Sequence, residues 1–178
     1  MRQAAEKILA TYSNFFSIDA SSENTKLQSE YVDVIVAAQA FHWFDPKPTK
    51  EEFLRILKPG GVVVLLANMR KRSNDKFMNG YMEIVGKYGQ SLNLKTDSQT
   101  IPIFFCQSTV HKEVFYNPYT FNFDRLKGEL VSYSYIPNEQ DPQFKPMISE
   151  LEALFERYND NGTVIFEYET VVYYCRMK

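Results

Sequence analysis

The feature that most constrains the fold is the stretch Val32-Asp33-Val34-Ile35-Val36-Ala37-Ala38-Gln39-Ala40-Phe41-His42-Trp43-Phe44-Asp45. Its first half is short, apolar and β-branched, the signature of a strand buried on both faces of a parallel sheet. The run ends in small residues. An aromatic cluster follows, holding one of the two histidines and the only tryptophan. Ligands of open parallel sheets bind just beyond the carboxyl ends of the strands, where Ala37 to Asp45 would lie.

The flanking segments extend this pattern. Met1 to Tyr12 reads as a helix, with Ala4, Ala5, Ile8, Leu9 and Tyr12 on one face. Asn14 to Ile18 reads as a short strand, closed by the polar loop Asp19-Ala20-Ser21-Ser22-Glu23-Asn24. Val32 to Ala37 is the next strand. Pro48 to Leu57 reads as a helix capped by Thr49, with Phe53, Leu54 and Leu57 turned inward. Lys58-Pro59-Gly60-Gly61 should end it, and Val62 to Ala67 is a third apolar strand. This succession argues for a parallel α/β sheet. Downstream, helices are expected over Asp75–Tyr88, Phe123–Ser134 and Pro142–Tyr158. Lys112–Tyr116 reads as a strand, and Thr163–Met177 as one or two more.

With 178 residues, 44% of them hydrophobic, the chain suits a single domain over residues 1–178. A formal net charge of -2 gives no reason to expect a nucleic-acid surface. No apolar run approaches the ~20 residues needed to span a membrane, and no signal-peptide core is evident. A cytoplasmic protein is the expectation. Cys106 and Cys175 are too few and too far apart for a disulfide framework or a zinc site, so both read as buried free thiols. No phosphate-binding loop, nucleophile elbow or metal-ligand cluster occurs.

The stretch Val32 to Asp45, followed by Leu54-Arg55-Ile56-Leu57-Lys58-Pro59-Gly60-Gly61-Val62, resembles class I S-adenosylmethionine-dependent methyltransferases. Their small-molecule branch, which includes the trans-aconitate methyltransferases, is the nearest in pattern. Phe123 to Tyr135 is similar to that branch's helix ending in a Ser-Tyr motif. Leu154 to Tyr158 leading into Val164 to Tyr174 is similar to its last helix and strand. The resemblance implies a doubly wound, Rossmann-like sheet with helices on both faces. It implies S-adenosylmethionine as cofactor and a small-molecule substrate, with a carboxylate as one option. Asp19, Ala20 and Ser21 would then lie at the adenine, and Ala38, Gln39 and Ala40 at the methionine end.

On the substrate side the resemblance points to His42, Trp43, Arg70, Tyr133 and Tyr135. His42 could act as a base or as a supporting group, and Trp43 would shape the pocket floor. The basic run Arg70-Lys71-Arg72 could clamp a carboxylate or form a solvated loop. Tyr133 and Tyr135 could cap the pocket or belong to the core. No catalytic residue and no metal is assigned. Methyl transfer from an already activated sulfonium is mostly a matter of placement.

The departures are as informative. The family opens with a strand and a G-x-G-x-G turn, then a second strand ending in an acidic residue. Here the first glycine is Gly60, and Met1 aligns just past that acidic position. The expectation is a sheet missing its first two strands, with an incomplete cofactor site and self-association through exposed edges. A remnant serving as an interaction or dimerisation module is the alternative function. A different doubly wound, nucleotide-binding enzyme is a third reading, which lacks the same glycine-rich turn.

Overall fold

The computed structural model describes residues 2–71, 74–90, 100, 101, 104, 105 and 109–177. Helix α1 spans Arg2–Ile8, strand β1 Val32–Ala38, helix α2 Pro46–Ile56 and strand β2 Leu57–Arg70. Helix α3 spans Lys76–Tyr88, strand β3 His111–Phe121, helix α4 Phe123–Val131, helix α5 Phe144–Tyr158 and strand β4 Val164–Arg176. A 3-10 turn covers Phe41–Trp43.

The strands form one sheet in the order β1-β2-β4-β3. Glu30 and Tyr31 donate backbone N–H groups to the carbonyls of Arg55 and Ile56, and Lys58 pairs with Asp33 at 2.9 Å. Residue numbers rise together across these contacts, so β1 and β2 run parallel, as the sequence predicts. β4 runs the other way. Lys71 N–H donates to the Glu167 carbonyl, and Met177 N–H to the Gly61 carbonyl. Two successive helices, α4 and α5, separate β3 from β4. A single crossover helix returns the chain to the starting end of its strand, and a second carries it back, so β4 enters antiparallel.

Two compact units emerge: Met1–Val64 with Thr96–Val110 and Tyr174–Lys178, and Leu65–Lys95 with His111–Tyr173. In the first, α2 starts at Pro46, with Asp45 as its cap accepting from Lys47 N–H at 3.4 Å. Proline suits the first helical turn, because its missing N–H would be unpaired there anyway. Thr49, expected as the cap, is instead fully buried one turn in. The helix ends at Ile56, and the extended Leu57 feeds directly into β2. Lys58-Pro59-Gly60-Gly61 is therefore strand rather than helix cap. Gly61 tolerates no side chain: a Cβ there would lie 2.6 Å from Leu57 Cδ2 and 2.9 Å from the Lys58 carbonyl.

Two expectations fail at the amino-terminal end. Asn14–Ile18 forms no strand, and Phe16 is 82% exposed. α1 stops at Ile8, and its apolar face stays outside, with Ile8 and Tyr12 exposed. Apolar periodicity alone did not carry the helix to Tyr12 or make a strand of Asn14–Ile18, since nothing among the described residues buries either apolar face.

The second unit holds one apolar core. Asp75 caps α3 by accepting from Met78 N–H at 2.8 Å. Phe77, Met78, Tyr81, Ile84 and Val85 then line a single helical face. Against them pack Leu126 and Leu130 of α4, Met147, Leu151 and Phe155 of α5, and Phe166 and Tyr168 of β4. Gly80 lets α3 approach α5, since a Cβ there would meet Leu154 Cδ1 at 2.5 Å. Cys175 is buried and outside any disulfide; Cys106 lies outside the described residues.

Candidate functional site

The sheet register places Arg70, the last residue of β2. The Lys71–Glu167 and Gly61–Met177 bonds set an antiparallel pairing in which Asn68 faces Thr170 and Arg70 faces Tyr168. The 2.7 Å hydrogen bond from Thr170 Oγ1 to Asn68 Oδ1 agrees with it. Facing residues share one side of an antiparallel pair, so Arg70 lies on the face that carries Tyr168 and Phe166.

Tyr133 and Tyr135 come to the same place from the turn after α4. Their rings stack at 5.4 Å with an interplanar angle of 3°. The Arg70 guanidinium lies 4.8 Å from the Tyr133 ring centre, and its Nη2 donates to Tyr135 Oη at 3.1 Å. Three residues singled out in the sequence thus form one cluster.

Glu129, Tyr168 and Tyr81 complete the cluster, and sequence reasoning missed all three. Tyr133 Oη donates to Glu129 Oε1 at 2.5 Å, and Tyr168 Oη donates to the same oxygen. The i,i+4 spacing of Glu129 and Tyr133 was the one available signal. Burial first, then the Glu129 carboxylate, hold the Tyr133 and Tyr168 phenols above their usual range. Burial first, then Tyr133, does the same to Tyr81. All three therefore stay protonated donors at neutral pH.

Two buried atoms in this unit have no hydrogen-bond partner among the described residues: Arg70 Nη1 and Tyr81 Oη. Among the described ion pairs, none involves Arg70. Its neighbour Lys71 is engaged, pairing with Glu167 at 3.5 Å. Arg72 lies outside the described residues.

The other sequence candidates belong to the first unit. Ala38 ends β1 exposed, and Gln39 follows, exposed, at φ 52°, a left-handed backbone that non-glycine residues seldom adopt. Ala40 opens the 3-10 turn. His42 and Trp43 are exposed, Trp43 to 65%. Phe41 is the buried anchor, its ring edge-on to Phe104 at 5.0 Å. The expected pocket-floor role of Trp43 therefore has no burial behind it.

Asp19, Ala20 and Ser21 lie in an exposed loop. The Asp19 carboxylate pairs with Arg2 at 3.3 Å. The loop is tied to α2 rather than to the end of β1. Glu23 Oε1 accepts from Ser22 Oγ at 2.8 Å, Asp45 N–H at 3.5 Å and Thr49 Oγ1 at 3.4 Å. The Ser22 hydroxyl foremost holds its carboxyl down at about 2. Among the described residues no His, Cys, Asp and Glu group suits a metal ion, and no helix is long and apolar enough to cross a membrane.

Residues 1–65 match the Methyltransferase domain family. An uncharacterised methyltransferase of Schizosaccharomyces pombe is 24% identical over 151 residues, 83% of this chain and 60% of that protein. An uncharacterised methyltransferase of Mycobacterium tuberculosis is 33% identical over 82 residues, 46% of this chain and 32% of that protein. The chain thus spans about 60% or less of the length of these curated relatives. The YcgJ protein of Bacillus subtilis aligns over 100% of this chain and 79% of its own, at a TM-score of 0.58 and 16% identity. A candidate type II methyltransferase of Anaeromyxobacter dehalogenans aligns over 88% of this chain and 68% of its own, at a TM-score of 0.58 and 17% identity. The fold is the α/β, Rossmann-like fold of methyltransferases.

Proposed function

We propose that this chain, with the fold and the relatives of class I methyltransferases, belongs to an S-adenosylmethionine-dependent enzyme that methylates a small carboxylate-bearing molecule in the cytoplasm. The trans-aconitate branch, to which the sequence pattern points, is taken as the model for the substrate side. The observation that carries the carboxylate is Arg70, a guanidinium whose buried Nη1 has no hydrogen-bond partner among the described residues and which has no acidic partner among the described ion pairs. A carboxylate is its natural complement. Tyr133 and Tyr135 hold the guanidinium in place by ring contact and hydrogen bond.

On this reading Asp19, Ala20 and Ser21 serve the adenine, and Ala38, Gln39 and Ala40 the methionine end, with His42 and Trp43 beside the substrate. The cofactor would supply an activated methyl group when bound. These residues offer only part of a cradle for it. Asp19 is already paired with Arg2, and the sequence holds no glycine before Gly60 to let a backbone close on a nucleoside. This polypeptide is therefore expected to bind the cofactor weakly.

Calorimetric titration of the 178-residue chain with S-adenosylhomocysteine should show no saturable heat at micromolar concentrations. A micromolar Kd would overturn the incomplete-site reading. The enzyme to which this chain belongs, given methyl-labelled S-adenosylmethionine and a panel of small carboxylic acids with their neutral amides, should label the acids and spare the amides. Label in the amides alone would overturn the carboxylate, and no label in any acceptor would overturn the enzyme.

A second reading rests on β1. It lies at the edge of the sheet, and Val34 and Val36 are 52% and 58% exposed. An apolar edge strand is a template for pairing, and a second copy of the chain could supply the partner. Light scattering should then give a dimer that ignores S-adenosylhomocysteine. A monomer at every concentration would exclude it.

A further inference from the structure

We propose that Glu129 is a positioning residue for Arg70: it fixes the Tyr133 ring against the guanidinium without taking a hydrogen bond from it. The inference deepens the carboxylate reading above and rests on it for the ligand that Arg70 receives. Glu129 lies in the last turn of α4, and Tyr133 follows four residues on. That spacing brings the two side chains together. Tyr133 Oη donates to Glu129 Oε1 at 2.5 Å. Tyr168 of β4 donates to the same oxygen, so the carboxylate is itself anchored to the sheet.

The Tyr133 ring in turn carries the Arg70 guanidinium, 4.8 Å from its centre. It also stacks on Tyr135 at 5.4 Å and 3°, and Tyr135 Oη accepts from Arg70 Nη2 at 3.1 Å. A phenol tied at its oxygen cannot swing about its side-chain torsions. The face it presents to the cation is therefore fixed, and a ring face attracts a guanidinium. Glu129 holds one end of this unit, and the other end holds Arg70.

The first unit shows the alternative. Glu52 meets Arg55 directly, accepting from Nε and Nη2 at 2.8 Å each. The Leu27 carbonyl and the Ser29 hydroxyl also accept from Arg55, so all three of its nitrogens are engaged in holding the fold. At Arg70 the carboxylate stands one phenol away instead. Among the described ion pairs none joins Arg70 to Glu129. A carboxylate placed directly on the guanidinium would take the donors that a ligand needs. One placed behind Tyr133 orients the cation and leaves them.

The test follows the Arg70 side-chain N–H resonance of the 178-residue chain by NMR, assigned by its loss in Arg70→Lys, together with the affinity for succinate as probe. Glu129→Leu removes the acceptor, and Tyr133→Phe removes the donor but keeps the ring. Either should move the resonance toward those of exposed arginines and weaken succinate about 10-fold, the order of one hydrogen bond to a charged group. The double variant should do no more than the worse single one, because both act through one bond. Glu129→Gln keeps an oxygen for the phenols and should retain the resonance and most of the affinity. Tyr133→Phe, whose ring stays, decides the matter if Glu129→Leu does not fold. An unmoved resonance in Tyr133→Phe would overturn the proposal and leave Glu129 as a tie between α4 and β4. Additive losses in the double variant would overturn it too. If succinate does not bind the wild-type chain, the carboxylate reading falls, and the resonance alone decides for or against the positioning role.

Discussion

Phe166→Ala is expected to cost the second unit about 3–5 kcal/mol, while Ile165→Ala, one residue earlier, should change stability by less than about 0.5 kcal/mol. Phe166 is 0% exposed and Ile165 62% exposed. The Phe166 ring touches four others: Tyr81 at 4.8 Å, Tyr168 at 4.9 Å, Phe121 at 5.1 Å and Phe77 at 6.4 Å. Truncation removes the transfer energy of the ring. It also leaves a cavity whose walls belong to α3, β3 and β4 and cannot all collapse inward. Against a typical domain stability of about 5–15 kcal/mol, such a loss takes much of what there is. Phe166→Leu should recover part of it by filling volume. Urea denaturation followed by circular dichroism measures all three. Equal losses at 165 and 166 would mean that β4 does not present its faces as described.

Glu52→Gln is expected to destabilise the first unit by about 1–3 kcal/mol at neutral pH, and by progressively less in acid. Glu52 is 9% exposed on α2. Its carboxylate accepts from Thr25 N–H at 2.8 Å, Thr25 Oγ1 at 2.5 Å and Arg55 Nε at 2.8 Å. Arg55 in turn donates to the Leu27 carbonyl at 2.7 Å. The pair thus clamps the chain that leads into β1. The Arg55 bond foremost, and the Thr25 bonds against the opposing effect of burial, hold the Glu52 carboxyl at about 2 rather than its ordinary 4.5. A depressed carboxyl stabilises the fold above its unfolded pKa. The benefit is complete above about pH 4.5 and fades as pH falls toward 2. The wild-type and Glu52→Gln proteins should therefore converge between pH 4.5 and 2 in urea midpoints. A gap that stays constant from pH 7 to 3 would assign the effect to shape rather than charge.

Legibility differed from element to element for physical reasons. Strand β1, α2 and α3 carry strong local signals: β-branched runs, a proline in the first turn, and an aspartate one residue ahead of an apolar stripe. Their positions follow from the chain alone to within a few residues. Asn14–Ile18 carries an equally apolar pattern and forms no strand, because a strand needs a neighbour to complete its hydrogen bonds. The α2–β2 junction was misread because glycine after a basic residue usually ends a helix. Here Gly61 instead answers the close approach of Leu57.

The candidate site divides in the same way. Arg70, Tyr133 and Tyr135 were nameable from a family pattern, while Glu129, Tyr168 and Tyr81 read only as helix and strand positions. What the sequence by itself determined is the local grammar of this protein: which segments can become helix or strand, and which residues bring a cation and aromatic rings. Only the tertiary structure decided that Arg70 faces Tyr168, that one carboxylate serves two phenols, and that Tyr81 is buried edge-on to Phe166. Those outcomes depend on strand register and helix docking, set by the burial of residues far apart in the chain, which no local pattern encodes.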